Sequence, residues 1–270
     1  MKINTNMQSI NKTTDVSVII LGSGTCVPSL SRSSCSVLMQ TGSNKLLFDA
    51  GPGTMGRLLE AGVTIFDITH IFFSHLHPDH TGELVPFLFA NKYPDGTRRK
   101  RPLTICGGTG FLAFYNQLKM IYNQWIDGAG KLTISEFSHT GSDSYQFDGF
   151  TINTVPVQHR DESIAFKVTA LNGTTMVYSG DTDYSENLIG LAENTDLFIC
   201  ESALPDHLKA DGHLTPSLAG QMATLANVKK LVLTHFYPEC ENVDIEKQCR
   251  KTYAGPLVLA KDLMTINLDT

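Results

Sequence analysis

The run Ser74-His75-Leu76-His77-Pro78-Asp79-His80 places four side chains able to ligate a metal within six positions. Neutral imidazole and carboxylate at that density suit zinc or another first-row divalent ion. Neighbouring side chains of one turn diverge, so four of them do not readily close a tetrahedron around a single ion. Two ions side by side are the more natural arrangement, and two-metal sites do hydrolytic chemistry. A lone histidine at a strand end is ordinarily a polar residue with a hydrogen-bond partner. The metal reading therefore requires further ligands elsewhere in the chain.

Three such residues follow. His159 comes after the alternating segment Thr151 to Val157, Asp181 after Met176-Val177-Tyr178-Ser179-Gly180, and His235 after Lys230-Leu231-Val232-Leu233-Thr234. Each ends a short aliphatic, β-branched stretch, as does the first cluster after Ile71-Phe72-Phe73. That is the pattern of ligands presented from one rim of a sheet. Strands are expected near 16–21, 34–40, 45–49 and 69–74, and helices near 54–62, 80–92 and 109–126. Strands resume through 131–179, and strand–helix alternation returns over 184–260. This order suits a doubled β–α sandwich. In the helix from Thr109, the residues Phe111, Phe114, Leu118, Ile121 and Trp125 read as a core face. Gly107-Gly108-Thr109-Gly110 reads as a turn in preference to an anion cradle.

With these residues in view, the chain resembles the metallo-β-lactamase superfamily from Val16 to about Leu268. The resemblance implies an α/β fold, the four-layer αββα sandwich, with a dinuclear site at one edge of two packed sheets. It implies His75, His77 and His159 on one ion, Asp79, His80 and His235 on the other, and Asp181 bridging. The ions expected are two divalent cations, Zn2+ first, with Mn2+ or Fe2+ as alternatives. Redox di-iron members usually carry glutamate where His77 stands, so oxygen reduction is disfavoured.

Leu21-Gly22-Ser23-Gly24-Thr25-Cys26-Val27-Pro28, Phe48-Asp49-Ala50-Gly51-Pro52-Gly53-Thr54 and Ser179-Gly180-Asp181-Thr182 are similar to the ribonuclease Z and phosphodiesterase branch. Phe198-Ile199-Cys200-Glu201-Ser202-Ala203 and Gly212-His213-Leu214-Thr215 match two further segments of that branch, with Cys200 in place of its histidine. The resemblance makes Glu201, His213 and Asp79 the catalytic candidates: Glu201 orients His213, His213 donates a proton to the leaving oxygen or holds a phosphate oxygen, and Asp79 ligates and orients the nucleophile. The bland alternative for His213 is a polar residue at the entry to a helix beginning at Pro216. Asp49 is a candidate partner for a ligand histidine. Two departures count against tRNA processing. Pro28-Ser29-Leu30-Ser31-Arg32-Ser33 keeps only the proline and arginine of the ribonuclease Z motif, and only a short hairpin joins His159 to Asp181, where ribonuclease Z carries its long tRNA-gripping arm.

The chain has 270 residues, 41% apolar and 18% charged, and a net charge of −6, which argues against a general nucleic-acid binder. The basic run Arg98-Arg99-Lys100-Arg101 after the turn Tyr93-Pro94-Asp95-Gly96 reads as a solvated loop, with a phosphate contact as the alternative. Six scattered cysteines without a Cys-x-x-Cys pair read as reduced thiols of a cytoplasmic protein. Residues 1–15 read as a flexible tail and 16–270 as one domain. No apolar run is long enough to span a bilayer.

Two divalent ions, two aspartates and a hydroxide would leave about one net positive charge, so the site should attract anions. The expected activity is hydrolysis of a phosphodiester: a small nucleotide, a cyclic phosphate or an RNA 3′ end. A lactone, ester, thioester or sulfate-ester hydrolase on the same scaffold is the first alternative, and a metal-holding binding protein without turnover the second. The partner expected is a small anionic substrate or RNA end, not a membrane, and relatives' pairing suggests a homodimer.

Overall fold

The structure, a computed structural model, describes residues 16–92, 99–138 and 141–268. The expected tail 1–15, the turn 93–96 and Arg98 lie outside the described residues.

The first half runs β1 (Val16–Gly22), β2 (Ser36–Thr41), β3 (Asn44–Phe48), α1 (Thr54–Glu60), β4 (His70–Phe73), α2 (Pro78–Thr81), α3 (Leu84–Lys92), β5 (Leu103–Gly107), α4 (Phe111–Tyr122) and β6 (Leu132–Glu136). The second runs β7 (Asp143–Phe147), β8 (Phe150–Pro156), β9 (Ile164–Ala170), β10 (Thr175–Tyr178), α5 (Glu186–Ala192), β11 (Leu197–Glu201), α6 (Pro216–Leu225), β12 (Leu231–Thr234), α7 (Ile245–Cys249), β13 (Leu257–Leu259) and β14 (Met264–Leu268). Among the described residues these strands form two seven-stranded sheets, β14-β1-β2-β3-β4-β5-β6 and β13-β12-β11-β10-β9-β8-β7. The C-terminal strand β14 crosses over to complete the first sheet, pairing antiparallel with β1 from Val16 against Leu268.

Each sheet is antiparallel on one side and parallel on the other, because loops without helices join β1 to β3 and β7 to β10 whereas helices separate the later strands. Strands covered on both faces read as continuous apolar runs. In β1, Val18 and Ile20 enter the cluster between the sheets, while Ile19 and Leu21 enter a second cluster with Leu58 of α1, Phe87 of α3 and Phe111 of α4. Phe166 of β9 bridges the sheets, its ring 5.6 Å from Phe48 and 5.8 Å from Phe72. The expected αββα sandwich is the observed one.

Three local expectations need correction. The helix expected over 80–92 is two helices: His77 is extended, Pro78 starts α2 at a position where its missing N–H costs nothing, and a break at Gly82-Glu83 precedes α3. In α4, Phe111 and Tyr115 are buried with Phe114 and Leu118 beside them, but Ile121 and Trp125 are 73% and 49% exposed. Ten residues past Phe111, Ile121 lies about 80° off that stripe at roughly 100° per residue, and Trp125 follows in a 3₁₀ turn. Arg99 is not solvated at all. Its guanidinium is 4% exposed as a residue and donates to Asn91 Oδ1 at 2.5 Å and to the carbonyls of Ile68, at 2.7 Å, and Ile65. Arg101 donates to Ser43 O at 2.5 Å. The Gly107–Gly110 turn offers amides, but the Glu136 carboxylate takes those of Gly110 and Leu112, at 2.9 and 2.6 Å. Among the described residues no helix is long and apolar enough to cross a membrane.

Candidate metal centre

Strand ends build the site. β3 delivers Asp49, β4 delivers Ser74 and His75, β8 leads to His159, β10 to Asp181, β11 ends in Glu201 and β12 leads to His235. α2 holds Asp79 and His80 in its first turn, just past the extended His77. Asp49 and His235 adopt φ values of 57° and 60°, in the left-handed region that non-glycine residues rarely enter. Both backbones turn away sharply at the strand end, which is how their side chains reach the site.

Seven side chains from four separate stretches of the sequence converge. His75, His77, His159 and Asp181 form one group of potential ligand atoms within 4.8 Å of one another, and Asp79, His80 and His235 form another. Asp181 Oδ2 lies 3.7 Å from His75 Nε2 and 3.8 Å from His159 Nε2. Its other oxygen, Oδ1, lies 3.3 Å from both His80 Nε2 and His235 Nε2. Asp79 Oδ2 completes the second group at 3.8 Å from His80 Nε2 and 3.7 Å from His235 Nε2. The carboxylate thus turns one oxygen to each histidine group.

The hydrogen bonds behind the ligands set their tautomers. Ser74 Oγ donates to Asp49 Oδ2 at 2.8 Å, so it accepts from His75 Nδ1 at 3.0 Å. His80 Nδ1 donates to Asp49 Oδ2 at 2.7 Å, and His159 Nδ1 to Gly212 O at 2.8 Å. Each of these rings then presents a bare Nε2 to the interior. Among the described residues the buried Nε2 of His75 and of His80, both ring nitrogens of His235 and Oδ1 of Asp181 have no hydrogen-bond partner. Unpaired acceptors of this kind are costly unless a cation satisfies them. The donor set therefore fits divalent metal: imidazole and carboxylate in two groups sharing one carboxylate. Burial works against the charge of Asp181, but His235 and His80 hold its carboxyl well below the usual range.

Beside the second group, His213 Nδ1 lies 2.9 Å from Glu201 Oε1. Glu201 also accepts from the amides of Thr182 at 2.8 Å and of Ala203 and Leu214 at 3.1 Å. Four donors lock a carboxylate that is 1% exposed. Burial alone would depress His213, but the Glu201 bond and charge raise it to about 9. Its ring stacks 5.7 Å from His235, so its free nitrogen faces the same interior, as its grouping with Asp181 and His235 requires. Cys200, where the branch has histidine, points the other way into the buried core, as strand alternation next to an inward Glu201 demands.

A model of the family described as Anti-Pycsar protein Apyc1 matches residues 16–254. The chain belongs to that family. This Apyc1-family chain is also 30% identical over 288 residues to ribonuclease Z 1 of Schizosaccharomyces pombe, an alignment covering 94% of the chain and 35% of that longer protein. It is 27% identical over 305 residues to ribonuclease Z of Halalkalibacterium halodurans, covering 92% and 96% of the two. The metallo-β-lactamase fold protein YhfI of Bacillus subtilis superposes with a TM-score of 0.79 at 23% identity, over 94% of this chain and 100% of that one. The metallo-β-lactamase superfamily and its ribonuclease Z-like branch, expected from the motifs, are both supported.

Several residues of the site escaped the sequence. Tyr178 OH donates to Asp49 Oδ2 at 2.6 Å and contacts Cys35 Sγ at 3.2 Å, although 129 positions separate Tyr178 from Asp49. Asp183 Oδ2 accepts from Gly212 N at 3.1 Å and Lys209 Nζ at 2.7 Å, which anchors the loop whose next carbonyl holds His159. Ser74 had the one available signal, its place directly before His75.

Proposed function

We propose that this chain is a dinuclear metal-dependent phosphodiesterase acting on a small phosphodiester, of the size of a cyclic nucleotide or simple diester. One observation carries the reading. Asp181 presents one oxygen to the His75/His77/His159 group and the other to the Asp79/His80/His235 group, as a carboxylate shared by two cations would. His75, His77 and His159 would hold one ion, Asp79, His80 and His235 the other, and Asp181 both. Divalent cations bound there, zinc first by donor type, supply Lewis acidity and bring the pKa of water down toward about 7.

The chain's own groups supply the rest. Asp79, 11% exposed as a side chain, is more open than Asp181 at 3% and orients the attacking water. As water attacks phosphorus, the P–O bond to the leaving alkoxide breaks, and His213 gives that oxygen its proton from the ring nitrogen opposite Nδ1. Glu201 keeps His213 in the tautomer this requires and stabilises its charged form.

Two features favour a small substrate over tRNA. His159 and Asp181 are joined by the β9–β10 hairpin, with room for no arm, and Arg99 and Arg101 are engaged with the protein's own carbonyls. The relatives named ribonuclease Z support the bond class, a phosphodiester.

The test is a panel with zinc- and manganese-loaded protein: bis-p-nitrophenyl phosphate, 3′,5′-cyclic nucleotides, precursor tRNA and a lactone. Turnover of the diesters with two metals per chain, lost in Asp181→Ala, is the expected result. Lactone turnover without diester turnover, or one metal per chain at full activity, would overturn it.

A further inference from the structure

Immediately after His235 the chain does something the seven ligands and the dyad do not explain. The sharp turn at His235 sends Phe236 into the core, where the Arg32 guanidinium lies 4.8 Å above its ring, and returns Tyr237 to the site. The Phe236 amide is tied to Ser23 O at 2.9 Å and that of Tyr237 to Ala203 O at 3.0 Å, two residues beyond Glu201. The Tyr237 ring stands edge-on to both His213 and His235, with centroids 6.4 and 6.2 Å away and planes at 77° and 81°. Among the described residues its hydroxyl finds only a weak partner, the exposed Cys26 thiol 3.5 Å away. Two fixed amides and a pinned neighbour hold a half-buried phenol against the catalytic histidine, yet its polar end is left nearly unspent. A tyrosine whose only task was packing would bury that end against a carbonyl, as Tyr253 does with Val228 O and Tyr115 with Ile126 O.

We propose that Tyr237 is a substrate-contacting residue, its hydroxyl donating a hydrogen bond to a non-bridging phosphoryl oxygen of the substrate on the His213 side of the site. The assignment rests on the phosphodiesterase reading for its substrate class. A neutral donor suits this place: it holds an anionic oxygen without adding a charge that would compete with the metals for Asp79 and Asp181.

The test is Tyr237→Phe, which keeps the ring, compared with the parent in zinc-loaded full-length protein. Calorimetric binding of inorganic phosphate and steady-state kinetics on bis-p-nitrophenyl phosphate are the readouts, with zinc content and melting temperature measured in parallel. Phosphate affinity is expected to fall about tenfold, the worth of one hydrogen bond to a charged group, and kcat/KM by at least as much, with zinc content unchanged. Cys26→Ala serves as the second variant, since it removes the thiol partner while leaving the phenol in place. It is expected to bind phosphate as tightly as the parent. Unchanged phosphate affinity in Tyr237→Phe overturns the proposal, as does an equal loss in Cys26→Ala, which would make the phenol a packing element. So does a zinc-loaded parent that binds no phosphate. If the parent binds phosphate through Tyr237 but hydrolyses no diester, the anion contact stands and the phosphodiesterase reading falls.

Discussion

The chemistry of single residues here is set by what stands behind them. Glu201 carries four accepted hydrogen bonds and a single histidine. Replacing it with glutamine removes the charge that keeps His213 a proton donor, and its NH2 group also leaves at least one of the backbone amides that Glu201 accepts without a partner. Glu201→Gln is expected to lower kcat on a diester about 100-fold, within the ordinary range for general acid catalysis, with metal content unchanged by atomic absorption. Full activity at neutral pH would remove His213 and Glu201 from the mechanism. Tyr178 acts one step further back, through Asp49 on His80 and Ser74. Tyr178→Phe is expected to weaken zinc retention against a competing chelator about tenfold, the lower end for partners of metal ligands. Chelator curves that superpose on the parent would show the phenol to be packing only.

At the scale of elements, motif residues are legible together with two of their supports, Asp49 and Glu201, while Tyr178 and Asp183 are not. Strand-then-ligand spacing located all seven convergent side chains because each follows a short apolar run, a signal local in sequence. The expected α4 stripe fails at Ile121 and Trp125 because periodicity drifts off a face over three turns, and only the packing of α4 on the first sheet fixes which side is buried. Arg99 departs from expectation for a different reason. Nothing in a basic run tells which of its members will find carbonyls, and Arg99 does so by joining α3 to the segment before β4. Burial depresses its pKa to about 10, with Asp67 opposing, so it stays charged. Arg99→Met should lower the melting temperature by several degrees, since it strands three acceptors, about 2 kcal/mol or more in all. Diester KM should not change. A raised KM with unchanged stability would restore the phosphate contact.

The whole molecule adds a pH dependence that no single element has. His70, on β4 in the first sheet, packs its ring 5.1 Å from Phe147 and 5.0 Å from Phe150 of the second, at the seam of the sandwich. Burial there, reinforced by Arg101, lowers its pKa to about 4. Between pH 6.5 and 4 the unfolded chain takes up a proton that the fold refuses. This contribution to stability is therefore complete above pH 6.5 and is lost as pH falls toward 4. Linkage gives about 2 kcal/mol between pH 7 and pH 5. Urea unfolding of His70→Phe and the parent at both pH values should show the variant gaining that much relative to the parent on acidification, since the zinc ligands titrate alike in both. A constant difference would show that His70 does not carry this term.

Taken by itself, the sequence determined which residue types end which apolar runs. Those local facts pointed to ligands along one sheet rim, whereas the αββα sandwich, the two histidine–carboxylate groups and the Glu201–His213 pair came from the resemblance of the motifs to a known family. Only the tertiary structure decided that Asp181 divides its oxygens between the two groups, that Tyr178 and Asp183 stand behind the ligands, and that Tyr237 stands edge-on to His213. These depend on how two sheets stack and where loops cross, and contacts between residues more than a hundred positions apart leave no periodic trace in the chain.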